Sequence, residues 1–136
     1  MRKSWRRYGI SKIVSLEKLS RLVADCKAKG KRVVLCHGVF DLLHPGHIRH
    51  LEAARRRGDV LVVTVTHDEH VNKGPGRPVF PHQVRAETLA ALGCVDFVAI
   101  NQTSTAVAAL LKLKPSLYIK GQDYRDPAAD ITGGIG

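Results

Sequence analysis

Residues 35–52 read LCHGVFDLLHPGHIRHLE. Two apolar runs are separated by Gly38, Pro45 and Gly46, and histidines stand at 37, 44, 47 and 50. The first run extends back into RVVLCH, residues 32–37, a short β-branched segment of the kind a parallel sheet buries on both faces. Beyond the breaks, Pro45 opens a helical pattern that continues to Arg57, in the position where a missing N–H costs nothing. Strand, glycine turn and proline-opened helix together make the first half of a crossover unit. His44 and His47, three residues apart, project from neighbouring sides of the first helical turn at about 100° per residue, while Ile48 and Leu51 carry the same stripe toward a core. His50 falls farther round the helix and is expected on a flank.

The pattern repeats outward in both directions. SLEKLSRLVADCKAKG, residues 15–30, sets Leu16, Leu19, Leu22, Val23 and Cys26 at helical spacing behind Ser15 as N-cap, and Gly30 closes the helix. DVLVVTVTH (59–67), VDFVAI (95–100) and the weaker SLYIK (116–120) read as three more buried strands. Helical patterns lie between them at His82–Leu92, after Pro81, and at Thr105–Lys114, before Pro115. Strict alternation of strand and helix predicts an α/β fold with one parallel sheet and right-handed crossovers. Residues 1–12 form a basic lead or linker, with Arg2, Lys3, Arg6 and Arg7, and residues 13–136 form the domain.

Composition bounds the rest. The chain has 136 residues, 44% of them hydrophobic, enough for one ordinary core. No segment approaches the roughly 18 apolar residues of a membrane span, and MRKSWRRYG lacks an apolar secretory region, so a cytoplasmic protein without a membrane partner is expected. Cys26, Cys36 and Cys94 are odd in number and unclustered, which points to reduced, mostly buried thiols. The net charge of +10 makes an anion attractive without identifying it.

A doubly wound sheet takes its ligand beyond the carboxyl ends of its strands. Here those ends are His37-Gly38, Thr66-His67-Asp68, Asn101-Gln102 and Lys120-Gly121-Gln122-Asp123, so polar and glycine residues collect on one edge. A helix start on that edge presents backbone N–H groups, and with His44 and His47 beside them the matching ligand is a phosphate whose charge grows in a transition state. Taken alone, such a pair is more often a cap or satisfied core. Zinc is the other alternative, through His37, His44, His47 and His50, but no cysteine or carboxylate cluster completes a closed shell. No metal site of the protein's own is therefore expected. The strand-glycine-Phe-Asp context favours the phosphate reading over both.

GVFDLLHPGH, Gly38 to His47, resembles the G-x-F-D-x-x-H-x-G-H motif of the cytidylyltransferase-like nucleotidyltransferases. The likeness continues through KGPGRP, the arginine-bearing helix after Pro81, VDFVAI and KGQDY, covering the chain from about Ile13 onward. It is nearest to the adenylyltransferase domain of the bifunctional heptose kinase/adenylyltransferases, and glycerol-3-phosphate cytidylyltransferase is similar but more distant. The resemblance implies a Rossmann-like sheet and transfer of a nucleotidyl group from ATP or CTP, with Mg2+, to a sugar-phosphate or polyol-phosphate, releasing pyrophosphate. A sugar kinase, fused or separate, and a homodimer are implied as partners.

Position by position, His44 and His47 would stabilise the α-phosphoryl charge, Gly46 would let the backbone approach, and Gly38, Val39 and Phe40 would line the nucleotide pocket, with Asp41 bracing the turn. Lys73, in VNKGPGRP, is read as the third catalytic residue, against a solvated surface turn. Arg77 is a further phosphate candidate. Arg85 is weighed evenly between a phosphate and an ion pair with Glu87 or Asp96. Lys120, Gly121, Asp123 and Tyr124, in KGQDYRD, would approach base and ribose, unless Asp123 caps the turn. Family members continue into a serine/threonine-rich loop holding the triphosphate, whereas this chain stops at DITGGIG, so a domain truncated at its C-terminus is expected. A non-catalytic nucleotide sensor is the main alternative. Aminoacyl-tRNA synthetases share a His-x-Gly-His helix start but need far more chain. Nucleic-acid binding is disfavoured, because only Trp5 and Tyr8 accompany the basic lead.

Overall fold

In a computed structural model of the chain, residues 9–71 and 74–120 are described. They alternate as the sequence predicts: α1 (Leu16–Ala28), β1 (Val33–Gly38), α2 (Pro45–Arg55), β2 (Val60–Thr66), α3 (His82–Ala90), β3 (Phe97–Asn101), α4 (Val107–Leu113) and β4 (Leu117–Lys120). Short 3₁₀ turns at Ile10–Lys12 and Asp68–His70 were not foreseen. Ser15 caps α1, its Oγ accepting the Lys18 N–H at 3.0 Å, and Gly30 follows the helix at φ +80°, where a side chain would be strained.

All three strand pairings are parallel, in the order β3-β2-β1-β4. Alternate residues divide the core into two layers. Val34, Cys36, Leu61, Val63, Val65 and Val98 pack under Leu51 and Ala54 of α2 and Ala86, Leu89 and Ala90 of α3. Val33, Leu35, Val60, Val62 and Ala99 pack under Leu19 and Val23 of α1 and Ala109 and Leu113 of α4. β1 and β2 are buried on both faces, which is why their sequences read as continuous apolar runs. The cysteines are free thiols. Cys36 alone is fully buried, and that burial pushes its pKa to about 12, while Cys26 and Cys94 are only half-buried.

The helix boundaries differ from expectation at their ends. α4 begins two residues after the expected Thr105, because Thr103 and Thr105 are committed to a turn: the Asn101 amide donates to the Thr105 carbonyl at 2.8 Å, and the Thr105 hydroxyl accepts the Val107 N–H at 3.3 Å. It ends at Leu113 because Lys114, ahead of Pro115, adopts a left-handed conformation at φ 49°. α2 and α3 each stop two residues before the expected end.

The strand order locates the crevice. From β1 the chain crosses by α2 to β2 on one side, and it returns by α4 to place β4 on the other side of β1. The switch point of the doubly wound sheet therefore lies between the carboxyl ends of β1 and β4, where His37 pairs in register with Lys120.

Candidate functional site

At this switch point the chain leaves β1 through Gly38, Val39 and Phe40, all half-buried, and enters α2 at His44. Phe40 is held at φ 51°, an uncommon conformation for a residue with a side chain and one that concentrates at functional loops. Its ring packs over Gly38, where an added Cβ would come within 3.1 Å of it, and stands edge-on to His47 at 6.5 Å between centroids.

The two histidines form a reciprocal cap. His44 is the N-cap residue, and its Nδ1 accepts the Gly46 N–H at 2.9 Å; His47, at the third helical position, accepts the His44 N–H on its own Nδ1 at 3.3 Å. This is a capping box in which imidazoles replace the usual hydroxyl and carboxylate. The rings lie 4.2 Å apart at 55°. A ring nitrogen that accepts cannot carry the proton, so each neutral imidazole has its N–H at Nε2. The cap thus serves two ends: it starts the helix, and it fixes the tautomer that donates from Nε2.

Asp41 braces the turn, as expected, and does more. Its buried carboxylate accepts the Val79 N–H at 2.8 Å, the Phe80 N–H at 3.0 Å and an Arg77 Nη1 proton at 3.0 Å, tying the loop after β1 to the segment before α3. Burial works to raise the carboxyl pKa, but those three donors outweigh it and hold it below the ordinary value. Arg77 reaches the site with one amino group committed to Asp41.

For Arg85 the structure replaces both sequence alternatives. The side chain is wholly buried: Nε donates to the Phe80 carbonyl at 2.9 Å, Nη1 to the carbonyls of Val39 and Thr66 at 2.8 Å each, and Nη2 to the Asp68 carboxylate. Asp96 is taken by Arg55 at 3.2 Å and by the Leu61 N–H at 2.8 Å, and Glu87 accepts from Gln83 at 3.4 Å. Arg85 is a strut beneath the site: among the described residues its enclosed guanidinium is engaged by protein oxygens.

His37 had been weighed only as a zinc ligand, and Thr64 and Thr66 had no assigned role. The His37 Nδ1 lies 2.8 Å from the Thr64 hydroxyl and its Nε2 3.4 Å from that of Thr66. Burial lowers the His37 pKa, more than its bond to Thr64 raises it. Threonines two apart on one strand face, opposite a histidine on the neighbouring strand, were the available signal. Lys120 ends β4 beside them, exposed. Lys73, Gly121, Asp123 and Tyr124 lie outside the described residues. Among the described residues, no group of three His, Cys, Asp or Glu side chains could hold a metal ion, and no helix is long and apolar enough to cross a membrane.

The two shifted groups predict stepwise acid destabilisation. A folded pKa below the unfolded one means that the unfolded chain binds more protons, so stability rises with pH and is lost as the pH falls. The His37 contribution is complete above about pH 6.5 and is lost below it; the Asp41 contribution is complete above about pH 3.9 and is lost below that. Thermal melts at pH 7.5, 5.5 and 3.5 should show both steps, and His37→Gln should lack the first.

Comparison with known proteins agrees with the geometry. A family model described as cytidylyltransferase-like matches residues 35–132. The bifunctional protein HldE of Trichlorobacter lovleyi is 43% identical over 116 residues, 84% of this chain and 24% of that protein. HldE of Pasteurella multocida is 41% identical over 123 residues, 89% of this chain and 25% of that protein. This chain therefore spans about a quarter of the length of these curated relatives. The crystal structure of the lipopolysaccharide core biosynthesis protein from Thermoplasma volcanium GSS1 superposes with a TM-score of 0.64 and 29% identity, covering 78% of this chain and 87% of that one. A parallel sheet with a histidine-capped helix at its switch point and a match over residues 35–132 lead to one conclusion: the chain belongs to the cytidylyltransferase-like family.

Proposed function

We propose that this chain is a nucleotidyltransferase that passes a nucleotidyl group from ATP or CTP to a sugar-phosphate or polyol-phosphate in nucleotide-sugar synthesis. The observation that carries the reading is the reciprocal histidine cap, which places two imidazoles, each with its Nδ1 engaged by the backbone, at the start of α2 on the carboxyl edge of the sheet. In the reaction, a phosphate oxygen of the acceptor attacks the α-phosphorus in line, and the α–β bridging bond breaks. Its electron pair leaves with pyrophosphate, and no covalent bond to the protein forms. Negative charge grows on the α-phosphoryl oxygens, where His44 and His47 donate. Magnesium enters with the triphosphate as part of the substrate. Gly38, Val39 and Phe40 line the nucleotide pocket, joined in the proposal by Lys73, Arg77, Lys120, Gly121, Asp123 and Tyr124.

The likeness to HldE and to a lipopolysaccharide core biosynthesis protein supports a heptose-type acceptor and a surface-polysaccharide product. The bifunctional designation of the relatives, with this chain spanning about a quarter of their length, supports a sugar kinase as fused or separate partner. Calorimetric titration of the full chain with MgATP and MgCTP tests the reading. One nucleotide should bind in preference, and His47→Ala should weaken it about tenfold or more, roughly 1.4 kcal/mol. A folded chain that binds neither, or a variant that binds as the parent does, would overturn it.

A further inference from the structure

The carboxyl edge of the sheet carries a second imidazole pair built like the first. His67 follows β2 and His82 opens α3, and their rings lie 4.0 Å apart at 37°. The His67 Nδ1 accepts the Glu69 N–H at 3.1 Å, and the His82 Nδ1 accepts the Asp68 N–H at 3.3 Å. In each neutral ring the proton therefore sits on Nε2, as in His44 and His47. The His67 Nδ1 also lies 3.6 Å from Glu69 Oε1, and the His82 Nδ1 3.2 Å from Asp68 Oδ2. Both side chains are partly open, at 19% and 26%. His70 stands by, its ring 6.4 Å from that of His67.

Buried hydrogen bonds tie the segments that carry the two pairs to each other. Asp41, three residues before His44, grips the amides of Val79 and Phe80, two residues before His82. Arg85 joins Val39, ahead of Asp41, to Thr66, directly before His67. Its guanidinium also neutralises Asp68, the carboxylate nearest His82. Two Nε2–H groups with their Nδ1 atoms turned to the backbone suit oxygen acceptors rather than a metal, and among the described residues no metal cluster forms.

We infer that His67 and His82 form a second phosphoryl-binding site, which takes the phosphate ester of the acceptor. This deepens the proposed function and rests on it. The physical need is plain: transfer between two phosphoryl anions requires each to be held against the repulsion of the other, and one histidine pair cannot hold both. His67 and His82 are then specificity-determining residues, selecting phosphorylated over neutral acceptors.

The test is histidine-imidazole NMR of the full chain saturated with the magnesium complex of the α,β-methylene analogue of whichever nucleotide, ATP or CTP, binds in the calorimetric titration; the analogue resists cleavage at the transferred position. Inorganic phosphate and mannose 1-phosphate should shift the Nε2 resonances of His67 and His82, whereas mannose should not. His82→Gln should weaken phosphate binding at least fivefold and leave affinity for the nucleotide analogue within twofold; His67→Asn is the second variant should the first not fold. Phosphate shifts confined to His44 and His47, shifts of His67 and His82 by mannose without phosphate, or parental phosphate affinity in a folded variant would each overturn the inference. Should the nucleotide analogue leave His44 and His47 unmoved while phosphate still moves His67 and His82, the nucleotidyltransferase reading fails and the anion site stands.

Discussion

His44→Asn is expected to lower kcat/KM for pyrophosphate release by 10²–10³-fold, about 2.7–4 kcal/mol of transition-state stabilisation, while leaving the melting temperature nearly unchanged. The choice of asparagine separates the two roles of this residue. His44 caps α2 through Nδ1, and asparagine is among the best N-cap residues, so its side-chain oxygen can accept the Gly46 N–H in place of the ring. What asparagine lacks is the Nε2 donor on the far side of the imidazole. His44→Ala removes both and should cost a further 0.5–2 kcal/mol or so of stability. His47→Ala should match the loss of activity with a smaller loss of stability, because its 3.3 Å bond to the His44 N–H is the longer of the two. Melts and steady-state pyrophosphate release on the three variants decide the matter. Retained activity in a folded His44→Asn protein would reduce the pair to a helix cap.

Arg85→Ala is expected to destabilise the fold by about 3–5 kcal/mol, the cost of stripping a wholly buried guanidinium from the backbone oxygens it serves. Three carbonyls, those of Val39, Thr66 and Phe80, lose their donor, and each unsatisfied group carries a penalty of about 1–3 kcal/mol unless water reaches it. Asp68 is 34% exposed at its side chain and can rehydrate, which keeps the total from being a simple sum. The melting temperature should fall by roughly 10–20 °C. Arg85→Lys restores a charge without the planar fork and should recover only part of the loss. A surface phosphate ligand would behave oppositely, with weakened nucleotide binding and an unchanged melt, so thermal denaturation read beside a nucleotide titration separates strut from ligand.

The site was legible in proportion to how local its contacts are. The cap of α2 lies within residues 44–47, and Pro45 with the His-x-x-His spacing announced it. Nothing near Arg85 in sequence named its partners: Asp68 is 17 residues away and Val39 46 away. Glu87 and Asp96 were the near carboxylates, so they were weighed; Asp68 wins because β2 ends under α3. Asp41 likewise reaches amides 38 and 39 residues distant. The second histidine pair was missed for the same reason, since residues 67 and 82 meet only after α3 folds back onto the sheet edge.

Hydrophobic period, proline placement and capping act over a few neighbouring residues, and they account for which elements form, their order, the double burial of β1 and β2 and the histidine-bearing start of α2. The strand order β3-β2-β1-β4, and with it the switch point between β1 and β4, the Arg85–Asp68 strut and the meeting of His67 with His82, arise with the assembled sheet. These depend on which side of β1 the chain returns to and on which buried charges find partners, and both are fixed by packing and desolvation across the whole sheet.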